Sequence, residues 1–118
     1  FARAEDWERA LDYLLKAAEK ATSVFGLRQA LDLYGEALEA ARRLEGRVPA
    51  ATFMTIHRTR ADLFFGVGDF DRSREAADAL TELTRRVQDR PAEADALVQA
   101  ASALFWKEDV PLALERAH

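Results

Sequence analysis

The chain has 118 residues, 24 of them Ala and 15 Leu, against 13 Val, Ile and Thr together. That length suits one domain; so few β-branched residues exclude a sheet core, and an apolar share of 49% excludes disorder. A net charge of −4 has the wrong sign for direct nucleic-acid binding, and the absence of cysteine excludes disulfides, thiolate metal sites and cysteine nucleophiles.

The predicted elements are all helices. From about Glu5 to Val24, Trp7, Leu11, Leu14, Leu15, Ala18 and Ala21 recur at spacings of three and four, an amphipathic stripe that Gly26 ends. A second stripe of Leu27, Ala30, Leu31, Tyr34, Ala37, Leu38, Ala41 and Leu44 runs to Gly46. Gly46-Arg-Val-Pro49 reads as a turn, with Pro49 tolerated at a first helical position. The third helix carries Phe53, Ile56, Leu63, Phe64 and Val67 and stops at Gly66-Val-Gly68. Asp69 or Asp71 then caps a fourth helix by accepting free backbone N–H groups. That helix is expected to bury Ala76, Ala77, Leu80, Leu83 and Val87. After the break Asp89-Arg-Pro91, a fifth helix from about Ala92 to Lys107 presents Leu97, Ala100, Ala101, Leu104 and Phe105 on its apolar side. Asp109, Val110 and Pro111 open a sixth helix that is cut short.

The chain opens on Phe1 and closes on His118 inside a helical pattern, so a piece of a longer protein is expected. A cut-short last helix cannot fully cover Leu97, Leu104 and Trp106, and the expected result is self-association through that end or a gain in stability when downstream sequence is restored. No apolar run approaches the roughly 20 residues of a membrane span, and no signal peptide is visible. With no cysteine, a reducing cytoplasm is the expected compartment. The excess of 14 Arg over 3 Lys, with so much Ala, suggests a GC-rich bacterial genome.

Three stretches of the sequence superpose. Leu14-x-x-Ala17-Ala18-x-x-Ala21 leads to Phe25, Leu27, Ala30, Tyr34 and Ala37. Ala61-x-x-Phe64 leads to Gly68-Asp69-Phe70, Ser73, Ala77 and Leu80. Leu97-x-x-Ala100-Ala101-x-x-Leu104 leads to Asp109, Val110, Ala113 and Ala117. A small residue on the first helix of each stretch (Ala18, Ala61, Ala101) is expected to face a small one on the second (Ala30, Ser73, Ala113). Two backbones can then approach at the short end of the usual 8–10 Å interaxial range.

This pattern resembles the tetratricopeptide repeat, carried chiefly by Ala61, Phe64, Gly68, Asp69, Phe70, Ser73, Ala77 and Leu80, and by Ala30, Tyr34 and Ala37. It departs from that family in three ways: its period is about 40 residues, His57 and Arg60 hold usually apolar positions, and Gly-Asp occurs once. In the first stretch Phe25-Gly26 takes the place of Gly-Asp. Long, divergent repeats of this kind are similar to those of large bacterial ATP-binding transcription activators and signalling proteins. The resemblance implies an all-α fold, an α-solenoid of antiparallel helical hairpins, with about six helices in three repeats and residues 1–118 as a single domain. It also implies a concave face lined by the first helix of each hairpin. The positions on that face are Asp12, Leu15, Glu19 and Thr22; Thr55, Arg58, Asp62 and Phe65; Asp95, Val98, Ser102 and Phe105. Of these, Leu15, Glu19, Arg58, Asp62, Phe65, Val98 and Phe105 are the candidate partner-binding residues. The Lys/Arg-plus-Asn clamp with which family members grip a C-terminal carboxylate is absent.

Candidate chemistry is thin. His57 has no second imidazole at the helical spacing a zinc site needs, and a satisfied, partly buried histidine explains it more simply. The carboxylate pairs Glu5/Asp6, Glu36/Glu39, Glu93/Asp95 and Glu108/Asp109 sit at helix starts or on polar faces. The five glycines form no phosphate-cradling run, and Ser23, Ser73 and Ser102 lack a nucleophile setting. The doublets Arg42-Arg43 and Arg85-Arg86 close helices, where cations offset the negative end of the dipole; a basic ridge for an acidic partner is the alternative. The expectation is a non-catalytic module without cofactor or metal. It would bind a peptide, a protein or another domain of its own chain, with no direct contact to nucleic acid or membrane. A structural spacer stacking on flanking repeats is the other reading.

Overall fold

The computed structural model contains α1 (Ala4–Ser23), α2 (Leu27–Arg43), α3 (Ala50–Gly66), α4 (Phe70–Arg86) and α5 (Arg90–Ala117). It describes the backbone of residues 4–44 and 46–117 and the side chains of 4–44 and 46–107. Helix makes up 86% of it, and no strand occurs among the described residues. Contacts divide the chain into two compact units, Phe1–Ile56 and His57–His118.

In the first unit α1 packs on α2. Leu11, Ala37, Leu38, Ala40, Ala41, Leu44 and Ile56 form its core, with Trp7, Leu14, Leu15, Val48 and Phe53 at the margin. Most of these belong to the first two apolar stripes, brought together because each helix hides one face; Phe53 and Ile56 come from the third helix, and Ala40 and Val48 from outside the stripes. Ala18 and Ala30 are both wholly buried.

In the second unit α4 packs on α5, and Ala61, Ala76 and Ala77 form a small-residue core with Ala100 against it. The Ser73 hydroxyl donates to the Ala61 carbonyl at 2.8 Å, so the expected facing of Ala61 and Ser73 is real. Helix α4 turns inward Thr81 and Thr84 as well as Ala76, Ala77 and Leu80, whereas Val87 is exposed. Both threonine hydroxyls donate to carbonyls of their own helix, Thr81 to Ala77 at 2.9 Å and Thr84 to Thr81 at 2.7 Å. Burial therefore leaves neither hydroxyl unsatisfied.

Three turns share one backbone solution. After α1 the Gly26 N–H bonds to the Ala21 carbonyl at 2.8 Å; after α3 the Asp69 N–H bonds to Phe64; after α4 the Asp89 N–H bonds to Thr84. This is the Schellman pattern, which needs a left-handed residue just before the donor. Phe25 (φ 61°), Gly68 (φ 82°) and Gln88 (φ 58°) supply it. Phe25-Gly26 therefore stands where Gly68-Asp69 stands, as the superposition of repeats implied. Asp69 and Asp89 then cap the following helices, accepting from Arg72 N at 3.2 Å and Ala92 N at 3.1 Å.

The third expected hairpin is not formed. Helix α5 runs unbroken from Arg90 to Ala117, through Glu108, Asp109 and Pro111. Neither acid is a strong helix breaker, and an interior proline removes one backbone hydrogen bond and can bend a helix without ending it. Ala113 thus lies about 18 Å along the same axis from Ala101 at 1.5 Å per residue, and cannot face it. Ala101 itself is exposed, and among the described side chains of this helix Ala96 and Ala103 are the wholly buried small ones.

Candidate functional site

The second unit holds a depression of about 220 Å³ between α3 and α5, lined by Ala61, Asp62, Phe65, Ser73, Val98, Gln99 and Ser102. Helical spacing assembles it. Asp62 and Phe65 are three apart on α3, while Val98 and Ser102 are four apart on α5, so each pair shares a face. The small side chains of Ala61 and Ser73 lie below, where the close approach of α3 and α4 leaves them no bulk to fill the space.

One polar link spans the depression. Gln99 Nε2 donates to Asp62 Oδ1 at 2.6 Å, and Gln99 Oε1 is buried with no hydrogen-bond partner among the described residues. The exposed Asp62 carboxylate therefore offers an acceptor beside Phe65 and Val98. Asp62 is the only formally charged residue of the lining.

An aromatic chain continues from it. The Phe65 ring meets Phe70 edge-on at 5.2 Å and Trp106 edge-on at 6.3 Å, and Trp106 meets Phe105 edge-on at 6.0 Å. Such pairs contribute about 0.5–1.5 kcal/mol beyond their buried area. Phe65 is half-buried by them, but Phe105 remains 56% and Val98 64% exposed. The Lys107 ammonium closes the end of the row on Asp71 at 2.6 Å.

Of the seven candidate positions, Asp62, Phe65 and Val98 meet in this depression, and Phe105 joins them through Trp106. Arg58 is exposed on α3 and is not part of the lining. Leu15 and Glu19 belong to the other unit. There Leu15 lines a second depression with Glu8, Leu11, Asp12, Leu44, Arg47, Val48, Pro49 and Thr52, while Glu19 is simply exposed. Gln99, Phe70 and Trp106 were not anticipated. Trp106 follows Val98 by eight residues and Ser102 by four, a spacing that places all three on one face of a single long helix.

Three of the four arginines of the doublets pair with acids on exposed helix surface, and Arg42 is exposed. Arg43 pairs with Glu39 at 3.2 Å, Arg86 with Glu82 at 2.9 Å and Arg85 with Glu93 at 3.1 Å. Among the described residues no group of three or more His, Asp or Glu is placed to hold a metal ion. No helix is long and apolar enough to cross a membrane among the same residues. Comparison of the sequence with family models, with curated proteins and with solved structures finds no match in any of the three.

Proposed function

We propose that the chain is a non-catalytic, tetratricopeptide-like interaction module that holds a peptide or partner domain against α3 and α5. It would work within a larger bacterial signalling or transcription regulator in the cytoplasm. The observation that carries this reading is the combination of exposed Val98 and Phe105 with the Asp62 carboxylate beside Val98. Apolar anchors of this kind supply most of an interface's energy, and polar groups at its margin set orientation and register. The exposed Asp62 carboxylate can accept from a bound peptide's N–H.

A test is selection of binding peptides from a random library, followed by titration of the winners against Val98→Glu and Phe105→Ala. Both positions are largely exposed, so the helices tolerate the changes. Loss of affinity in both variants at unchanged helicity supports the reading. Winners that bind both as well as the parent overturn it. The alternative, a spacer that stacks on further repeats, draws on the exposure of Leu97 and Trp106 on the same helix.

A further inference from the structure

Helix α5 is apolar on two opposite faces. Ala96 and Ala103 lie on the one turned to the rest of their unit, and both are wholly buried. On the other, Ala94, Leu97, Val98, Ala101, Leu104 and Phe105 fall within an arc of about 120° at 3.6 residues per turn. Ala94 and Ala101 are exposed and Leu104 is partly so, while Leu97, Val98 and Phe105 are 46%, 64% and 56% exposed. A surface helix ordinarily carries one apolar stripe and turns charge to solvent. Here no charged residue falls within the second stripe between Ala94 and Phe105.

The spacing of that stripe is the spacing of a helix-pair seam. Ala94, Leu97, Ala101 and Leu104 hold the a and d positions of two heptads, with alanine at each a and leucine at each d. Laid antiparallel on a copy of itself, with a two-fold axis level with Gln99, the seam is self-complementary. Ala94 meets the partner's Leu104, and Leu97 meets the partner's Ala101, so a small residue faces a large one in every layer and the helices can approach closely. Sliding one heptad toward the helix start instead sets the exposed Arg90 against Ala101. In the favoured register Val98 meets the partner's Val98 along one edge, and Phe105 lies toward the partner's Pro91. Along the other edge Glu93 lies toward the partner's Lys107, a charge of opposite sign; within their own unit these two pair with Arg85 and Asp71. Arg58, Asp62 and Asp95 are exposed beyond the Val98 edge, of mixed sign and outside the arc. Arg90 ends the seam opposite position 108, whose side chain lies outside those described.

We infer that the chain forms a symmetric dimer in which this face of α5 pairs antiparallel with α5 of a second molecule. The contact is isologous, so it closes at two copies, and it uses one helix of one unit. The seam runs about 27 Å at 1.5 Å per residue, which puts it at the small end of specific interfaces, where weak and reversible association is the rule. The inference goes beyond the peptide-binding reading and does not rest on it. Val98 and Phe105 border the seam, so a second copy and a peptide anchored on those two residues exclude one another.

Sedimentation equilibrium of the whole chain, from micromolar to millimolar, is the test. The expected result is an average mass that climbs with concentration and levels at the dimer. Ala101→Glu and Leu97→Lys each place an unpaired charge in both central layers, and each alone weakens association by more than about ten-fold. Both positions are exposed, so helicity is unchanged. Mixed in equal amounts, the two variants recover a 1:1 dimer, because the new carboxylate of one faces the new ammonium of the other in one layer and the second layer is as in the parent. A parallel pair offers no such match, since position 97 then meets position 97. A parent chain that stays monomeric or grows past the dimer, a variant that associates as the parent does, or a mixture that stays monomeric overturns the inference. Neither substituted position lines the α3–α5 depression, so titrating library-selected peptides into Ala101→Glu reads the other proposal separately. Peptides that bind it uphold the interaction module even where the dimer fails, and a dimer that forms as described stands even where no peptide binds.

Discussion

The hydroxyl of Ser73 donates to the backbone carbonyl of Ala61 at 2.8 Å, side chain of one helix to main chain of its neighbour. Only small residues on both sides permit that distance. Ala61→Leu is expected to force the helices apart and cost about 1–3 kcal/mol or more from overpacking, whereas Ser73→Ala removes one hydrogen bond for about 0.5–1.5 kcal/mol. Urea denaturation of both variants checks the order. Equal stabilities for parent and Ala61→Leu would contradict the packing described.

The same measurement discriminates between two alanines of α5. Ala103 is wholly buried and Ala101 exposed. Ala103→Leu is therefore expected to destabilise by about 1–3 kcal/mol, and Ala101→Leu to fall within about 0.5 kcal/mol of the parent. The reverse result would mean that α5 is rotated from the register described.

Glycine in place of Phe25 is expected to stabilise. The left-handed conformation penalises a residue with a β-carbon by about 1–2 kcal/mol, and glycine's extra freedom in the unfolded chain returns part of that gain. A net increase of about 0.5–1 kcal/mol is expected, seen as a higher denaturation midpoint at unchanged slope. Gly26→Ala should act the other way, because a β-carbon there meets the Ala21 carbonyl oxygen at 3.2 Å.

Phe65 and Phe105 separate packing from binding. Phe65 touches Phe70 and Trp106, so Phe65→Ala is expected to cost stability, by about 1–3 kcal/mol for a half-buried ring. Phe105 is mostly exposed, so Phe105→Ala should cost little beyond its edge contact with Trp106, about 0.5–1 kcal/mol, while weakening bound peptides. Thermal melts run beside peptide titrations show whether the two effects divide in this way.

Much of this was legible in the sequence where side-chain size varies sharply along a helix. The α1 and α2 stripes, with Leu11, Tyr34, Leu38 and Leu44 among small residues, point unambiguously inward, and their cores form as read. Helix α5 was harder. Alanine occurs at 92, 96, 100 and 103 on one face and at 94 and 101 on the opposite one, so small size alone does not say which face is buried. Its length was misread for a related reason: an interior proline weakens a helix by one bond but does not dictate where it ends. In α4, Thr81 and Thr84 read as polar, yet hydroxyls that bond their own helix's carbonyls can be buried. Of the site, Asp62, Phe65 and Val98 followed from repeat positions. Gln99 and Trp106 did not, because they depend on how α5 is rotated and how far it extends.

Eleven of the twenty buried apolar residues described are alanine. An alanine has no rotamers to freeze, so burying it surrenders almost no side-chain entropy, and it also withdraws little hydrocarbon from water. Heat capacity of unfolding tracks the apolar surface newly wetted. The chain should therefore unfold with a heat-capacity increment below the usual 12–15 cal/mol/K per residue or so, and its free energy should bend only gently with temperature. Calorimetry would find stability spread thinly over a wide thermal range, with cold and heat unfolding far apart, as suits a fold held by the nearness of backbones more than by the mass of its side chains.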